Sequence, residues 1–402
     1  MSGVIIVGGG HAAGQVSASL RQEGFDGPIT IIGDEPHPPY QRPPLSKAYL
    51  AGEQGVEKVY LRPESFYADK NIELVKDVRV DQIDIEAKSV SCSDGISRAW
   101  DHLILATGTR PRQLAIEGSD LAGIHYLRSI SDVDSIRAEL SAETNLVIVG
   151  GGYIGLEVAA VAVEAGASVS VLEMESRILQ RVTTEQMSAF YHQLHTGKGI
   201  DIRVNTGVTG FAGSDGRVNE VLCGDSALAA DLVIVGIGVI PNTELADAAG
   251  IDCDNGIVVD ERCGTSAANV YAIGDCSNHP NPLLGRRLRL ESVPNAMEQA
   301  RVTAANICGK DKIYSSMPWF WSDQYDLKLQ MLGFSADGDE AVLRGDMGDN
   351  QFAVFYLKAG AIVAVDAVNS PREFMAAKQL VGKVIDPATL ADTSIAMKEM
   401  LG

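Results

Sequence analysis

Two glycine-rich segments have the residue types and the spacing needed to bind phosphate groups. Each has a glycine, a second glycine two positions on and a small residue three positions further: Gly8, Gly10 and Ala13, and again Gly150, Gly152 and Gly155. The first glycine permits a tight turn, the second lets the backbone approach a pyrophosphate, and the third position allows close helix packing. One such motif is weak evidence. Two copies about 140 residues apart, each between a strand and a helix, predict two dinucleotide sites.

A carboxylate follows the second strand of each copy. Glu35 ends this strand in the first copy, where Asp34 is the nearer alternative, and Glu173 ends it in the second. A carboxylate here accepts ribose hydroxyls and repels a 2′-phosphate, so Glu173 predicts NADH rather than NADPH. Arg177 and Arg181 lie just beyond and leave a phosphate contact open.

The elements that position these residues repeat one plan. Residues 4–35 and 146–173 both read as strand, glycine turn, helix, strand and acid. Their short apolar runs are typical of parallel strands that are buried on both faces. Two further apolar strands lead into prolines, at 103–106 and 232–235, and a third, within 270–276, ends in Gly-Asp.

After Pro318 the pattern changes to alternating strand-like runs. These are Lys328–Phe334, Ala341–Arg344 and Phe352–Val368, and helical periodicity follows from Arg372. This pattern predicts a small α+β domain. The fold class is therefore α/β, with two Rossmann-like dinucleotide-binding domains and a small α+β C-terminal domain.

Composition narrows the function classes. The 402 residues include 53 acidic and 33 basic side chains, a net charge of −20 that argues against nucleic-acid binding. No apolar run is long enough to span a membrane, and the start of the chain lacks a secretory signal, so we expect a cytoplasmic protein. The six cysteines include no Cys-x-x-Cys pair and are expected to be reduced, buried residues.

Several motifs stand together in one order: GGGHAAG, PPYQRPPLSK, ATGTRPR, GGGYIGLE, GVIPNTELA, VYAIGDC and PWFWSDQ. In this order the chain resembles the FAD-dependent ferredoxin reductases of bacterial oxygenase systems, of the putidaredoxin reductase and biphenyl dioxygenase ferredoxin reductase type. The motifs cover residues 3–330, and PPLSK with PWFWSDQ is the most specific combination. The resemblance implies a glutathione-reductase-like arrangement. Its FAD-binding domain would be formed by residues 1–112 and 243–317, its NADH-binding domain by 113–242 and its C-terminal domain by 318–402.

The resemblance also implies an activity. FAD would take a hydride from NADH and pass single electrons to a [2Fe–2S] ferredoxin, which feeds an oxygenase or cytochrome P450. The ferredoxin is expected to be acidic, the reductase a monomer, and no metal, nucleic acid or membrane is expected to bind. The alternative is a redox-sensing flavoprotein resembling apoptosis-inducing factor, in which NADH binding controls assembly with a partner.

Three residues receive catalytic roles from the resemblance. Lys47 would lie near the reactive nitrogen of the flavin and pair with Glu157, which would face the nicotinamide. A first-turn acid that stabilises the helix N-terminus is the ordinary alternative for Glu157. Trp321 would cover the flavin, with plain aromatic packing as its alternative, and Trp319 is expected to pack.

The remaining site residues follow from the same motifs. FAD is expected to contact Gly8, Gly10, Ala13, Glu35, Arg42, Lys47, Ala106, Thr107, Gly108, Arg128, Asp275, Val293 and Trp321, with Asp275 on the ribityl chain. NADH is expected to contact Gly150, Gly152, Tyr153, Ile154, Gly155, Glu157, Glu173, Arg181 and Gly238.

Two further patterns bear on chemistry and partners. Related disulfide reductases and NADH oxidases need a cysteine near residues 40–45, where this chain has YQRPPL, so thiol chemistry is not expected. Arg286, Arg287 and Arg289 form a basic cluster in an acidic chain. They are candidates for a ferredoxin docking site, with a solvated loop as the alternative.

Overall fold

The computed structural model describes residues 3–401, and the chain forms two compact units. The first unit comprises the chain up to Arg42 together with Gln54–Arg110 and Val239–Ser316. The second comprises Pro43–Glu53, Pro111–Gly238 and the chain from Met317 onward. Each unit therefore contains one of the two glycine motifs.

The helices are α1 (His11–Gln22), α2 (Glu64–Asp69), α3 (Ile130–Glu139), α4 (Tyr153–Glu164), α5 (Glu185–Gly197), α6 (Glu244–Ala248), α7 (Val293–Ile307), α8 (Pro371–Leu380) and α9 (Pro387–Ala391). The strands up to the second glycine motif are β1 (Gly3–Val7), β2 (Ile29–Ile32), β3 (Ile72–Val75), β4 (Val80–Asp84), β5 (Ser89–Cys92), β6 (Ser97–Leu105), β7 (Thr109–Pro111), β8 (Ile124–His125) and β9 (Asn145–Val149). The next are β10 (Ser168–Leu172), β11 (Asp201–Arg203), β12 (Gly210–Ser214), β13 (Arg217–Cys223), β14 (Ser226–Ala229), β15 (Leu232–Val235), β16 (Val239–Pro241), β17 (Ile257–Val258), β18 (Val270–Ala272), β19 (Ser277–Asn281) and β20 (Arg286–Leu288). The last are β21 (Trp319–Gln324), β22 (Leu327–Leu332), β23 (Glu340–Asp346), β24 (Gln351–Lys358) and β25 (Ala361–Val368).

The first unit is built on a sheet in which β3, β2, β1, β6 and β18 run parallel. The first half of β6 also pairs antiparallel with β5, which continues to β4. Buried side chains of the sheet, α1 and α7 form one core, with Ile6, Val16 and Ala300 among its members. The parallel order brings the ends of β1, β6 and β18 to one edge, where the glycine turn begins.

The second unit contains a parallel sheet in the order β11-β10-β9-β15-β8 and an antiparallel sheet of β12, β13 and β14. Its third sheet is antiparallel in the order β21-β22-β25-β24-β23. Phe355 and Val365 of this sheet share a core with Phe374 and Leu380 of α8. The predicted fold class, including the α+β C-terminal part, is confirmed.

Several boundaries in the C-terminal part differ from the sequence-based prediction, and the strands there are Leu327–Leu332 and Glu340–Asp346. The run Phe352–Val368 is two strands, because Ala359 and Gly360 both have a positive φ and reverse the chain. Helical structure begins at Pro371, one residue before the predicted start, because proline is tolerated in the first turn of a helix.

Candidate active site

The first glycine motif forms a turn that brings backbone next to backbone. Gly8 has a φ of +114°, and a Cβ at this position would lie 2.2 Å from the carbonyl oxygen of Ala106. A Cβ at Gly10 would meet no atom of the chain within 4 Å. Gly10 also caps α1 without a side-chain hydrogen bond, and Ala13 is fully buried behind it. Free helix N–H groups beside bare backbone fit a pyrophosphate.

Glu35 is held at the edge of this turn by two neighbours. Its Oε1 lies 3.0 Å from a guanidinium nitrogen of Arg42, and its Oε2 accepts a 2.6 Å hydrogen bond from Tyr40. Arg42 also donates to the Tyr40 hydroxyl at 2.9 Å. These contacts fix the orientation of Glu35, whereas Asp34 is exposed. The ribose contact of Glu35 stays a prediction.

The other residues predicted to contact FAD in the first unit lie at the ends of β6 and β18 and at the start of α7. Thr107 and Gly108 follow β6, and Val293 is the first residue of α7. The Thr109 hydroxyl donates to Asp275, which lies in the turn after β18, at 3.4 Å. Lys47, Arg128 and Trp321 belong instead to the second unit.

His11, the first residue of α1, is a residue that sequence reasoning missed. Burial lowers its pKa to about 4, opposed by the charge of Asp275 and reinforced by Arg42 and Arg62. The imidazole is therefore neutral at physiological pH beside the glycine turn. Its place within GGGHAAG was the available signal, because the position after the glycines begins the helix.

The second glycine motif repeats the geometry of the first. Gly150 has a φ of +111°, and a Cβ there would lie 2.4 Å from the carbonyl oxygen of Gly236. A Cβ at Gly155 would lie equally close, 2.4 Å, to the carbonyl oxygen of Gly150. A Cβ at Gly152, which caps α4 without a side-chain hydrogen bond, would meet nothing within 4 Å. The second turn therefore also fits a dinucleotide phosphate.

Other residues predicted to bind NADH surround this turn. Tyr153 and Ile154 open α4, and Ile154 is exposed, whereas the Tyr153 hydroxyl contacts the Met331 sulfur at 2.8 Å. Gly238 has a φ of +101°, and a Cβ there would lie 3.9 Å from the guanidinium of Arg181.

Glu173 supports the second turn directly. Its two oxygens accept hydrogen bonds from the backbone N–H groups of Gly151, at 2.8 Å, and Glu175, at 2.9 Å. Arg177 donates to backbone carbonyls of its own loop, which reduces its availability to a phosphate, whereas Arg181 is exposed. The NADH contacts of Glu173 and Arg181 stay predictions.

Lys47 and Glu157 form the predicted ion pair. Lys47 Nζ lies 2.6 Å from Glu157 Oε2, and the two side chains are 19% and 4% exposed. Ser46 donates to the same oxygen at 2.5 Å, and Ser322 donates to Oε1 at 2.6 Å. The first turn of α4 contains no acid, so Glu157 does not stabilise the helix N-terminus in the way that the alternative supposed. Sequence reasoning missed both serines, although each lies inside a recognised motif.

The two tryptophans of β21 have different surroundings. Trp319 packs against Phe374, with ring centroids 5.6 Å apart, and Lys378 Nζ lies 4.4 Å from its ring, as expected for a packing residue. Trp321 lies on the same face of the strand, 5.7 Å from Trp319, and is half-buried. Its contact with FAD stays a prediction.

The cysteines have the properties of structural residues. All six are free, and burial raises the pKa of each thiol, that of Cys263 to about 12. A raised pKa disfavours the nucleophilic thiolate. Within residues 3–401, no group of three or more His, Cys, Asp or Glu side chains could hold a metal ion.

The candidate docking arginines do not form a uniform patch. Arg287 donates to the backbone carbonyls of Val259 and Asn278, at 2.7 and 2.5 Å. Arg289 is mostly buried and pairs with Glu291 at 2.7 Å. Two of the three side chains thus hold local structure, which weakens the docking prediction.

Two helix N-termini without side-chain caps lie behind glycine turns, and an acid follows the next strand in each case. This combination defines an oxidoreductase with two dinucleotide sites. The chain belongs to the pyridine nucleotide-disulphide oxidoreductase family, whose model matches residues 2–300, and a reductase C-terminal domain matches residues 319–401. The cofactors of this family are FAD and NAD(P)H.

Relatives match over nearly the whole chain. Putidaredoxin reductase of Pseudomonas putida is 45% identical, over 99% of this chain and 96% of the relative. Rhodocoxin reductase of Rhodococcus erythropolis is 42% identical, over 98% and 93% of the two chains. A crystal structure of a covalent putidaredoxin reductase–putidaredoxin complex matches with a TM-score of 0.96 and 45% identity, over 100% of this chain and 98% of that one. Among residues 3–401, no helix is both long and apolar enough to cross a membrane.

Proposed function

We propose that this chain is an NADH-dependent ferredoxin reductase that oxidises NADH and delivers electrons singly to a [2Fe–2S] ferredoxin serving an oxygenase or cytochrome P450. The observation that carries the proposal is the Lys47–Glu157 pair in the unit that also contains the second glycine turn. Relatives named as reductases of putidaredoxin and rhodocoxin, at 42–45% identity, support the choice of partner.

The residues of the first unit fit FAD. The bare backbone at Gly10 and the N-terminus of α1 would hold its pyrophosphate, Glu35 its ribose and Asp275 its ribityl chain. Bound FAD supplies the exchange between the two electrons of a hydride and two single electrons.

The residues of the second unit fit NADH. Gly152 and the N-terminus of α4 would hold the pyrophosphate, and Glu173 would accept the ribose hydroxyls and repel a 2′-phosphate. Lys47 supplies a cation, and Glu157 fixes its position. A cation fixed in a partly desolvated site stabilises negative charge that develops during reduction.

The domain division, location and oligomeric state belong to the proposal. The family matches to residues 2–300 and 319–401 support a separate domain from residue 318, with FAD and NADH domains before it. Six free cysteines are consistent with the reducing cytoplasm. A monomer stays a prediction.

Anaerobic stopped-flow spectroscopy tests the proposed activity. The purified holoenzyme is mixed with NADH and then with a plant-type [2Fe–2S] ferredoxin. We expect flavin bleaching followed by fast ferredoxin reduction, with NADPH reacting more slowly than NADH. Bleaching to a long-lived charge-transfer complex that no ferredoxin discharges would contradict the proposal and favour an NADH sensor.

A further inference from the structure

A continuous chain of hydrogen bonds runs through the second unit to Glu157. The Tyr325 hydroxyl lies 3.1 Å from His195 Nδ1, and His195 Nε2 lies 2.7 Å from Gln324 Oε1. Gln324 Nε2 donates to Ser322 Oγ at 3.1 Å, and Ser322 donates to Glu157 Oε1 at 2.6 Å. The three linking side chains are at most 1% exposed, so water does not compete for these bonds.

All hydrogen bonds of this series donate towards Glu157, and the carboxylate of Glu157 sets this direction. A carboxylate only accepts, so the single hydroxyl proton of Ser322 must point at Glu157, and Ser322 Oγ must itself accept from the Gln324 amide. The Gln324 oxygen then faces His195 and requires an N–H at Nε2. Burial lowers the pKa of His195 to about 4, so the ring is neutral, has one N–H and leaves Nδ1 to accept from Tyr325.

Tyr325, the residue of the hydrogen-bond series that lies farthest from Glu157, has an unfavourable backbone conformation. Gln324 and Leu327 pair across a hairpin whose two-residue loop begins at Tyr325. Tyr325 has a φ of +56°, a region typical of glycine and rare for bulky residues. Such backbone strain persists only where surrounding contacts stabilise it. At Tyr325 these contacts are the hydrogen bond to His195 and Lys198 Nζ, which lies 5.2 Å from the centre of the ring.

We propose that His195 and Gln324 are positioning residues that orient the Ser322 hydroxyl and thereby hold the Glu157 carboxylate against Lys47 for hydride transfer from NADH. The inference rests on the proposed function, because it concerns the same site. His195 is 38 residues from Glu157 in the chain (195 − 157) and contacts it only through the intervening side chains. The charged or titratable groups around His195 are His192 and Tyr325, and Glu164 and Lys198 lie beside Tyr325.

The tautomer of His195 is the first test, and it needs no turnover. The chain has seven histidines, so ¹⁵N-histidine labelling of the holoenzyme, with assignment by His195→Gln, isolates this ring. We expect a neutral Nε2–H tautomer that does not titrate between pH 5.5 and 8.5, a range that extends about one unit below the ordinary histidine pKa. An Nδ1–H tautomer, or titration within that range, would overturn the proposal.

Rapid kinetics provide the second test. Ser322→Ala, Gln324→Met and His195→Leu should each lower the limiting rate of flavin reduction by about 10-fold, roughly the effect of losing one hydrogen bond. The Kd for NADH should stay within about twofold, because the substituted groups do not bind the dinucleotide phosphates. His195→Gln should recover most of the rate, since its amide can donate in place of Nε2–H.

Tyr191→Phe is the matched control. This tyrosine is fully buried, and its hydroxyl has no hydrogen-bond partner among the described residues, so its removal should leave the rate unchanged. Equal losses in Tyr191→Phe and His195→Leu, or no rescue by His195→Gln, would show a general packing effect and sink the proposal. A wild type that reduces no ferredoxin but has the expected tautomer and rate pattern would instead defeat only the proposed function.

Discussion

At the scale of single residues, the most informative contact is the ion pair of the partly buried Lys47 with the buried Glu157. Burying an ion pair stabilises a protein only when further hydrogen bonds compensate both charges. Ser46 and Ser322 supply two such bonds to Glu157, and Lys47 also reaches the carbonyl oxygen of Pro43 at 3.4 Å. With these hydrogen bonds the pair keeps the Lys47 ammonium group in a fixed position.

Lys47→Met should slow flavin reduction by NADH by about 10- to 100-fold while FAD stays bound. The reason is that the cation disappears, whereas the glycine turn of the first unit, which we propose to hold the FAD pyrophosphate, is untouched. Stopped-flow absorbance measures the rate, and the flavin content of the purified protein measures binding. Unchanged flavin kinetics would place Lys47 away from the reacting atoms.

The double variant Lys47→Met/Glu157→Gln separates charge from stability. Removing the lysine alone leaves an unpaired buried carboxylate, which costs about 3–5 kcal/mol of unfolding free energy in typical cases. The double variant should recover much of this stability but none of the rate. Denaturant unfolding of both variants measures the difference, and a recovered rate would contradict the electrostatic role.

Glu173→Arg should shift the preference from NADH towards NADPH by at least about 10-fold in the ratio of kcat/KM values. If Glu173 lies at the ribose as proposed, the substitution removes a carboxylate that would repel a 2′-phosphate and adds a cation that would attract it. Glu175→Arg is the matched control, because it makes the same charge change two residues away. An equal shift in both variants would show a long-range charge effect and not a ribose contact.

At the scale of elements, the two glycine turns use the same device. In each, the first glycine has a positive φ and lies against a carbonyl of a neighbouring segment, so no side chain fits. The second glycine of each turn differs, because its φ is one that any residue adopts and a Cβ there would meet only open space. The fold therefore does not require a glycine at this position, and we propose that its lack of a side chain allows the approach of a ligand.

Gly152→Ala should therefore weaken NADH binding by 10-fold or more, while the unfolding free energy changes by less than about 1 kcal/mol. The added methyl group occupies the space in front of α4 but meets no atom of the chain. NADH titration of the holoenzyme and denaturant unfolding give the two quantities.

Gly197→Ala provides the control, because Gly197 ends α5 and a Cβ there also meets nothing within 4 Å. It should affect neither binding nor stability by more than a small amount. Equal weakening of NADH binding in both variants would remove the phosphate role of Gly152.

At the scale of the whole molecule, charge and pH determine stability and association. The net charge of −20 repels an acidic ferredoxin at long range, although salt screens this repulsion beyond about 10 Å. Within the second unit, Asp366 of β25 is a buried carboxyl with 3% of its surface exposed. Burial raises its pKa to about 6, although Thr183 and Tyr356 donate to it at 2.6 and 2.9 Å.

Asp366 should make the protein less stable as pH rises from about 4 to 6. The unfolded carboxyl loses its proton near its ordinary pKa, while the folded one keeps it until about pH 6, so the folded state binds more protons in this window. The two units of pKa difference correspond to about 3 kcal/mol of unfolding free energy, lost by pH 7.

Asp366→Asn should abolish this contribution, since the amide does not titrate. Calorimetry at pH 4.5 and pH 7.5 compares the Tm change of the variant with that of the wild type. Equal changes in the two proteins would contradict the assignment to Asp366.

The sequence by itself determined the two glycine turns, the strands that carry them and the absence of a cysteine from residues 40–45. These features follow from local spacing, because a strand, a tight turn and a helix form within about 30 residues. The ion pair of Lys47 and Glu157 was predictable only through family resemblance, since 110 positions separate the two residues (157 − 47).

Only the tertiary structure decided which side chains donate hydrogen bonds to Glu157 and which basic side chains are already bound to other groups of the protein. Ser322 and His195 reach the site because α4 packs against β21 and α5 brings a buried imidazole beside Gln324. Arg287 donates to backbone carbonyls of neighbouring segments, a fate that no charge pattern reveals. Side-chain hydrogen bonds between distant segments depend on packing geometry, and sequence periodicity carries no information about that geometry.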